Sequence, residues 1–127
     1  MKPGEVTVTG SFEFDVAHYL ESHEGKCRGI HGHRYKLEIT LGGEIDPDTF
    51  MIIDSYKFKE IVNKLVINRL DHGGPEGQTL NDIMGCTDPT VEFMVGWIFD
   101  AIGNSLPVKR IRLWETPNFY AEMNVEW

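Results

Sequence analysis

The stretch that decides how this chain folds is HYLESHEGKCRGIHGHRY, residues 18–35. It contains four of the five histidines and one of the two cysteines of the chain. Apolar and polar residues alternate in the segment before His18, and the alternation resumes at His31 and continues beyond the end of the stretch. The stretch is therefore predicted to connect two β-strands and to gather reactive side chains where those strands meet.

The strand before this stretch has apolar side chains at alternate positions, namely Val6, Val8, Phe12, Phe14 and Val16. This pattern indicates a half-buried strand over roughly residues 5–17, and His18 continues its inward phase. The inward positions of the second strand are His31, His33, Tyr35, Leu37, Ile39 and Leu41. Because consecutive strands most often pair as an antiparallel hairpin, His18, His31 and His33 are expected to converge at one rim of the sheet.

Three inward histidines on neighbouring strand ends favour a metal site, whereas a single one would ordinarily be a hydrogen-bonded core residue. Three imidazole ligands with one open position define a catalytic zinc geometry. Zinc with an open position polarises a substrate oxygen as a Lewis acid. Gly32 leaves room for close backbone approach. His23 lies in mid-loop, out of strand phase, and is expected to lie outside the site.

Other residues carry weaker chemical signals. Cys27 stands between a lysine and an arginine, and neighbouring cations favour the reactive thiolate over an inert thiol. Asp71 followed by His72 is typical of a carboxylate that orients an imidazole for proton transfer. Glu115 is an acid on the apolar face of a predicted strand. It could be an exposed strand end or a group with a partner in the site, and the residues alone leave both readings open.

The rest of the chain predicts two helices and two further strands. The first helix is capped by Asp54 or Ser55 and ends near Asn68, and the second opens at 88–90 and ends at 103–104. The remaining segments are a long loop, residues 69–88, and strands over residues 108–116 and 119–127. The order β-β-α-α-β-β predicts one α+β domain over residues 1–127, an antiparallel sheet with both helices on one side.

Composition excludes several classes of function. The net charge of −8 argues against a nucleic-acid partner, because phosphate contacts need a basic face. Two cysteines with different flanking sequences are read as reduced thiols of a cytoplasmic protein. No apolar run approaches the roughly 20 residues of a membrane span, and the N-terminus lacks the apolar core of a signal peptide. We therefore expect no membrane association.

Several short motifs follow one another along nearly the whole chain: F-x-x-A-H at 14–18, C-x-x-x-H-G-H at 27–33, I-I-D at 52–54, L-D-H at 70–72, P-T-x-E at 89–92 and E-T at 115–116. Together they resemble the 6-pyruvoyl-tetrahydropterin synthase and 6-carboxytetrahydropterin synthase family, which has the tunnelling fold (T-fold). The cysteine–histidine spacing is similar to that of the queuosine-pathway branch, 6-carboxytetrahydropterin synthase. That branch converts 7,8-dihydroneopterin triphosphate to 6-carboxytetrahydropterin and releases acetaldehyde and triphosphate.

The resemblance implies a role for each matched residue. The implied residues are His18, His31 and His33 as zinc ligands, Cys27, Asp71 and His72 in catalysis, and Glu115 and Thr90 in substrate binding. The thiol is the implied general base, the Asp–His pair the second proton-transfer group, and the glutamate the anchor of the pterin ring. The resemblance also implies a homohexamer of two trimers, with sheets joined into a barrel and active sites at subunit contacts.

Three alternatives remain open. The first is a sibling activity on the same fold, such as 6-pyruvoyl-tetrahydropterin synthesis or another pterin branch. The second is a cupin-like metal enzyme, since residues 31–38 match H-x-H-x4-E, although Glu38 is predicted to point away from both histidines. The third is a protein that binds zinc or pterin without catalysis.

Overall fold

The protein is described by a computed structural model that covers residues 1–127. Its four strands are β1 (Val8–His18), β2 (His31–Leu41), β3 (Val108–Thr116) and β4 (Phe119–Asn124). They form one antiparallel sheet in the order β1-β2-β3-β4, which confirms the predicted sheet. The first and last strands are shorter than predicted at their outer ends, where Val6 and Trp127 are exposed.

The hairpin formed by β1 and β2 has the register that the alternation predicts. Val8 pairs with Leu41 at one end, and His18 pairs with His31 at the other. The inward side chains of β1 are buried from Phe14 onward, and His18 is 1% exposed. Since every second residue of each strand faces the helices, all three histidines lie on the same side of the sheet at the same rim.

The first helical region begins where the sequence indicates. Asp54 caps α1 (Ser55–Val62) by accepting a hydrogen bond from the backbone N–H of Tyr56 at 2.8 Å. The chain continues through a π-helical turn (Asn63–Ile67) into a short helical turn, α2 (Asn68–Leu70). The predicted helix is therefore confirmed, with a local widening in its second half.

The region between Arg69 and Asp88 differs from the prediction of a continuous loop. It contains a 3₁₀ turn (Asp71–Glu76) and a further helix, α3 (Leu80–Met84). The Thr79 hydroxyl caps α3. A helix of five residues is too short to display a helical period, which is why the pattern of apolar residues did not reveal it.

The last helix, α4 (Val91–Ile102), begins as predicted, with the Thr90 hydroxyl accepting a hydrogen bond from the N–H of Phe93 at 3.2 Å. Helices and sheet enclose one hydrophobic core. Among its fully buried side chains are Tyr35, Leu37, Ile39, Val62, Val66, Met94, Ile98, Ile111 and Leu113. None of the helices is both long enough and apolar enough to cross a lipid bilayer.

Candidate active site

The predicted histidine cluster forms at the rim where β1 ends and β2 begins. The ring centroids are 4.6 Å apart for His18 and His31, 5.3 Å for His18 and His33, and 5.0 Å for His31 and His33. One nitrogen of each ring lies within 4.8 Å of the corresponding nitrogens of the other two. The structure thus brings together the three side chains that the sequence singled out as metal ligands.

Two of these rings are oriented by backbone carbonyls. His18 Nδ1 lies 3.0 Å from the Pro89 carbonyl oxygen, with the Tyr35 hydroxyl 3.4 Å away, and His31 Nδ1 lies 2.7 Å from the Gly29 carbonyl oxygen. A carbonyl only accepts, so each Nδ1 carries the proton and each Nε2 presents a lone pair. The two Nε2 atoms nevertheless lie 3.0 Å apart. Facing lone pairs at this distance repel unless a cation lies between them, and Nδ1–H bonded to a carbonyl is the usual arrangement around a metal-bound histidine.

The third ring supplies an orphaned nitrogen. His33 Nε2 is buried and has no hydrogen-bond partner. Glu115 Oε1 lies 3.1 Å from it, but the directions of the two groups do not meet the geometry of a hydrogen bond. Burial lowers the pKa of both His18 and His33, which favours the neutral imidazoles that bind metals. The three histidines therefore fit a divalent metal ion.

Two cavities, each about 550 Å³, adjoin His33. The first is lined by His72 and by the loop residues Gly77 to Thr79, and the second by Trp114 and Glu115. His33 and Arg34 line both. A ligand that reached the histidine cluster could therefore extend toward the imidazole of His72 on one side and toward a carboxylate on the other.

The side chains of Asp71 and His72 lie next to each other, and Asp71 is hydrogen-bonded to the backbone of β1. Asp71 Oδ1 lies 3.1 Å from His72 Nδ1 and accepts a hydrogen bond from the backbone N–H of Asp15 at 2.9 Å. That backbone hydrogen bond is the main reason why the pKa of Asp71 lies below its ordinary value. His72 has φ 55°, a left-handed conformation that side chains with a Cβ seldom adopt. Strain of this kind is concentrated at functional sites.

Three other residues considered in the sequence analysis, Cys27, Thr90 and His23, lie outside the histidine cluster and outside the Asp71–His72 pair. Cys27 is a half-buried free thiol in a 3₁₀ turn (Lys26–Arg28), and its sulfur belongs to neither group of closely spaced ligand atoms. The Thr90 hydroxyl caps α4, and Thr90 lines none of the four cavities. His23 is exposed and accepts a hydrogen bond from the N–H of Gly25 at 2.9 Å.

Sequence reasoning missed three residues that support the site. Tyr35 contacts His18 from the core, and strand alternation does place it on the same face as His33. Asp15 holds Asp71 through its backbone, a contact across 56 residues that no local pattern reveals. Arg34, which lies on the outward face of β2, forms ion pairs with Asp15 and Glu13 and lines both cavities.

Comparisons with known proteins agree with the motifs. The family model described as 6-pyruvoyl tetrahydropterin synthase matches residues 7–126. The 6-carboxy-5,6,7,8-tetrahydropterin synthase of Haemophilus influenzae is 32% identical over 135 residues, covering 91% of this chain and 96% of that protein. The dihydroneopterin monophosphate aldolase of Pyrococcus furiosus is 36% identical over 118 residues, covering 90% and 91%. These matches confirm the resemblance predicted from the motifs.

The fold is also shared with solved structures. The 6-pyruvoyl tetrahydropterin synthase of Caenorhabditis elegans superposes with a TM-score of 0.81, covering 99% of each chain, at 24% sequence identity. This likeness confirms the predicted T-fold arrangement of an antiparallel sheet with helices packed on it.

Proposed function

The chain belongs to the 6-pyruvoyl tetrahydropterin synthase family, and we propose that it is a zinc-dependent lyase that converts 7,8-dihydroneopterin triphosphate to 6-carboxy-5,6,7,8-tetrahydropterin. The co-products would be acetaldehyde and triphosphate. The expectation of an enzyme akin to 6-carboxytetrahydropterin synthases is confirmed by several relatives of that name. A product of this kind belongs in 7-deazapurine (queuosine or archaeosine) biosynthesis, in the cytoplasm.

The observation that carries the proposal is the arrangement of the imidazole nitrogens. His18 and His31 turn their Nε2 lone pairs toward each other at 3.0 Å, and His33 contributes a buried Nε2 without a partner. Three neutral nitrogen ligands are the set that leaves a fourth position on zinc open. Zinc bound there would polarise the hydroxyl oxygens of the substrate side chain and acidify the neighbouring C–H bond.

Proton transfer is assigned to side chains of this chain. Cys27, which stands between Lys26 and Arg28 in the sequence, is the proposed general base. His72, oriented by Asp71, is the proposed second proton-transfer group, and it lines the same cavity as His33. The sulfur of Cys27 lines no cavity of the isolated chain, so its approach to substrate depends on the assembled enzyme.

Pterin binding is assigned to Glu115 and Thr90. The Glu115 side chain is 22% exposed, lines the second cavity and makes no ion pair with lysine or arginine. A carboxylate in such a place suits the N–H edge of a pterin ring, which offers parallel donors. Thr90 contributes at the start of α4, next to the carbonyl that orients His18.

Assembly into a homohexamer of two trimers is part of the proposal. The single T-fold domain over residues 1–127 leaves β1 and β4 as the two outer strands of its sheet. Exposed backbone edges favour pairing with another chain, and pairing of these edges would join sheets into a barrel. Light scattering coupled to gel filtration tests this directly, since a monomer would contradict it.

Product identification separates the proposed function from its alternatives. Mass spectrometry after incubation with 7,8-dihydroneopterin triphosphate is expected to detect 6-carboxytetrahydropterin and acetaldehyde, with zinc bound to the wild-type chain. A 6-pyruvoyl product would instead establish the sibling synthase. A parallel incubation uses dihydroneopterin monophosphate. Cleavage of this monophosphate, with no product from the triphosphate, would establish the activity named for the Pyrococcus furiosus relative. Absence of any product, with zinc bound, would establish a binding protein.

A further inference from the structure

A buried amide in α3, the side chain of Asn81, makes three hydrogen bonds to the backbone of two distant segments. Its Oδ1 accepts from the N–H of Tyr19 at 3.0 Å, and its Nδ2 donates to the carbonyl oxygens of Tyr19 at 2.8 Å and of Thr87 at 3.1 Å. The amide thus pairs with both backbone groups of Tyr19, as a residue of a neighbouring strand would. Asn81 is 6% exposed. Because burial of an amide is costly unless its polar groups are paired, these three bonds account for its place in the interior.

The two segments that Asn81 joins carry the two ends of one contact in the histidine cluster. Tyr19 directly follows His18, and Thr87 lies two residues before Pro89. His18 Nδ1–H donates to the Pro89 carbonyl oxygen at 3.0 Å, across 71 positions of the sequence. No local structure sets that distance. Asn81 therefore attaches the imidazole and its carbonyl partner to the same side chain.

The carbonyl group of Pro89 belongs to a tight turn. The N–H of Thr90 donates to the carbonyl oxygen of Asp88 at 2.7 Å, which closes a three-residue turn around Pro89. The proline ring fixes the backbone angle φ at the centre of this turn. A displacement of Thr87, whose carbonyl oxygen accepts from Asn81, is therefore passed on to the Pro89 carbonyl.

An exposed carboxylate strengthens the same junction from its outer side. Asp88 accepts hydrogen bonds from the N–H of Ser22 at 2.8 Å and from its hydroxyl at 2.9 Å. The backbone bond is the main reason why the pKa of Asp88 lies below its ordinary value. The N–H of Glu21 also donates to the Thr87 carbonyl oxygen, at 3.3 Å. The segment after β1 is thus joined at several points to the segment before α4.

We propose that Asn81 is a positioning residue for the metal centre. It holds the His18 ring and the Pro89 carbonyl at the separation at which Nδ1–H is donated and the Nε2 lone pair faces His31. The inference rests on the metal centre of the proposed function. Groups that orient a ligand ring contribute to metal affinity without touching the ion, and their loss costs about 10–100-fold in affinity.

The test uses the full-length protein without substrate and measures cobalt affinity by chelator competition, together with the visible absorption bands of bound cobalt. These bands depend on the geometry of the ligands around the ion. Asn81→Asp keeps the shape of the side chain but has no N–H to donate to the two carbonyls, and Asn81→Ala removes all three bonds. Both variants are expected to bind cobalt about tenfold more weakly or worse, with changed bands. The negative charge added by Asn81→Asp would by itself attract a cation, so weaker binding cannot arise from that charge.

The matched control is Thr40→Val, which removes another buried polar group from the same hairpin. Thr40 is 6% exposed, pairs its hydroxyl with that of Thr9 at 2.8 Å, and lies at the end of β2 opposite the histidines. A urea titration establishes that each variant is folded under the binding conditions. Thr40→Val is expected to be less stable than wild type but equal to it in cobalt affinity and bands.

Three results would overturn the positioning role. They are wild-type affinity in the folded Asn81 variants, weaker binding with unchanged bands, and an equal loss of affinity in Thr40→Val. If neither Asn81 variant folds, Asp88→Ala decides, because it loosens the same junction at an exposed position. Weaker cobalt binding with changed bands is then expected, and unchanged affinity would overturn the role.

The outcomes also distinguish this inference from the proposed function. A wild-type chain that binds cobalt in an Asn81-dependent manner and fails to form product refutes the proposed reaction and leaves the positioning role in place. A wild-type chain that forms product, with metal binding insensitive to Asn81, refutes only the positioning role. A wild-type chain that binds no metal refutes both.

Discussion

Replacement of Asp71 by asparagine separates the structural role of this carboxylate from its proposed catalytic role. In the wild type, Asp71 Oδ1 accepts a hydrogen bond from the N–H of Asp15 at 2.9 Å and lies 3.1 Å from His72 Nδ1. An asparagine oxygen still accepts from Asp15 but carries no charge. Asp71→Asn therefore preserves the attachment to β1 and weakens the hold on the imidazole.

The expected change in stability is modest. A hydrogen bond to a charged group contributes about 1.5–3 kcal/mol, against about 0.5–1.5 kcal/mol for a neutral one. Since the Asp71 side chain is 39% exposed, solvent screening reduces the difference. We expect Asp71→Asn to lower the free energy of unfolding by about 1 kcal/mol near neutral pH, measured by urea titration.

The pH dependence of this difference has a definite sign. The fold lowers the pKa of Asp71, chiefly through the Asp15 hydrogen bond, so folding favours the ionised form. The extra stability is fully present above the unfolded pKa of about 3.9 and disappears as the pH falls through the lower folded pKa. The stability curves of wild type and Asp71→Asn should therefore converge in strong acid.

The kinetic effect is expected to be much larger than the effect on stability. Loss of a positioned proton-transfer group lowers kcat by about 10²–10⁴-fold. If Asp71 acts through His72, then Asp71→Asn, His72→Ala and the double variant should show similar kcat values, because residues that act as a unit are not additive. Near-wild-type kcat for Asp71→Asn, or multiplicative losses in the double variant, would show that Asp71 does not act through His72.

Substitutions at three further positions test separate parts of the site. Cys27→Ala should lower turnover by about 10²–10⁴-fold with zinc content unchanged, and unchanged turnover would remove the thiol as general base. Gly73→Ala should cost about 1–3 kcal/mol in a urea titration and displace His72, because Gly73 has φ 79° and a Cβ there would meet the backbone of Gln78. Wild-type stability would show that the loop adapts. Thr90→Ala should cost about 1 kcal/mol through the lost cap of α4, Thr90→Ser should restore it, and equal stability of the two would contradict the capping role.

Much of the fold follows from local patterns in the sequence. The alternation before His18 and after His31 predicts both strands and their register, because a shift of one residue would expose every apolar side chain of the hairpin. The caps at Asp54 and Thr90 predict where two helices begin. The helix at 80–84 is too short for its apolar residues to show a helical periodicity, although Thr79 is a residue type that favours helix N-caps.

The sequence predicts those site residues whose positions follow from the alternation of inward and outward side chains along a strand. His18, His31 and His33 converge because they share one face at one rim, which alternation and pairing determine. The attachment of Asp71 to β1 depends on how a distant turn packs against a strand edge, and no local pattern encodes that. The approach of Glu115 to His33 depends on the register between β2 and β3. The helices lie between these two strands in the sequence, so no local pattern determines their register.

Zinc content, measured by inductively coupled plasma mass spectrometry, tests whether the three histidines hold a metal ion. Wild type and the exposed-histidine control His23→Ala, each equilibrated with zinc and then desalted, are expected to retain about one zinc per chain. His33→Ala is expected to lose it, because its buried Nε2 has no partner except the proposed ion. Wild-type protein without zinc, or His33→Ala with the same zinc content as His23→Ala, would show that the histidine cluster is not a zinc site.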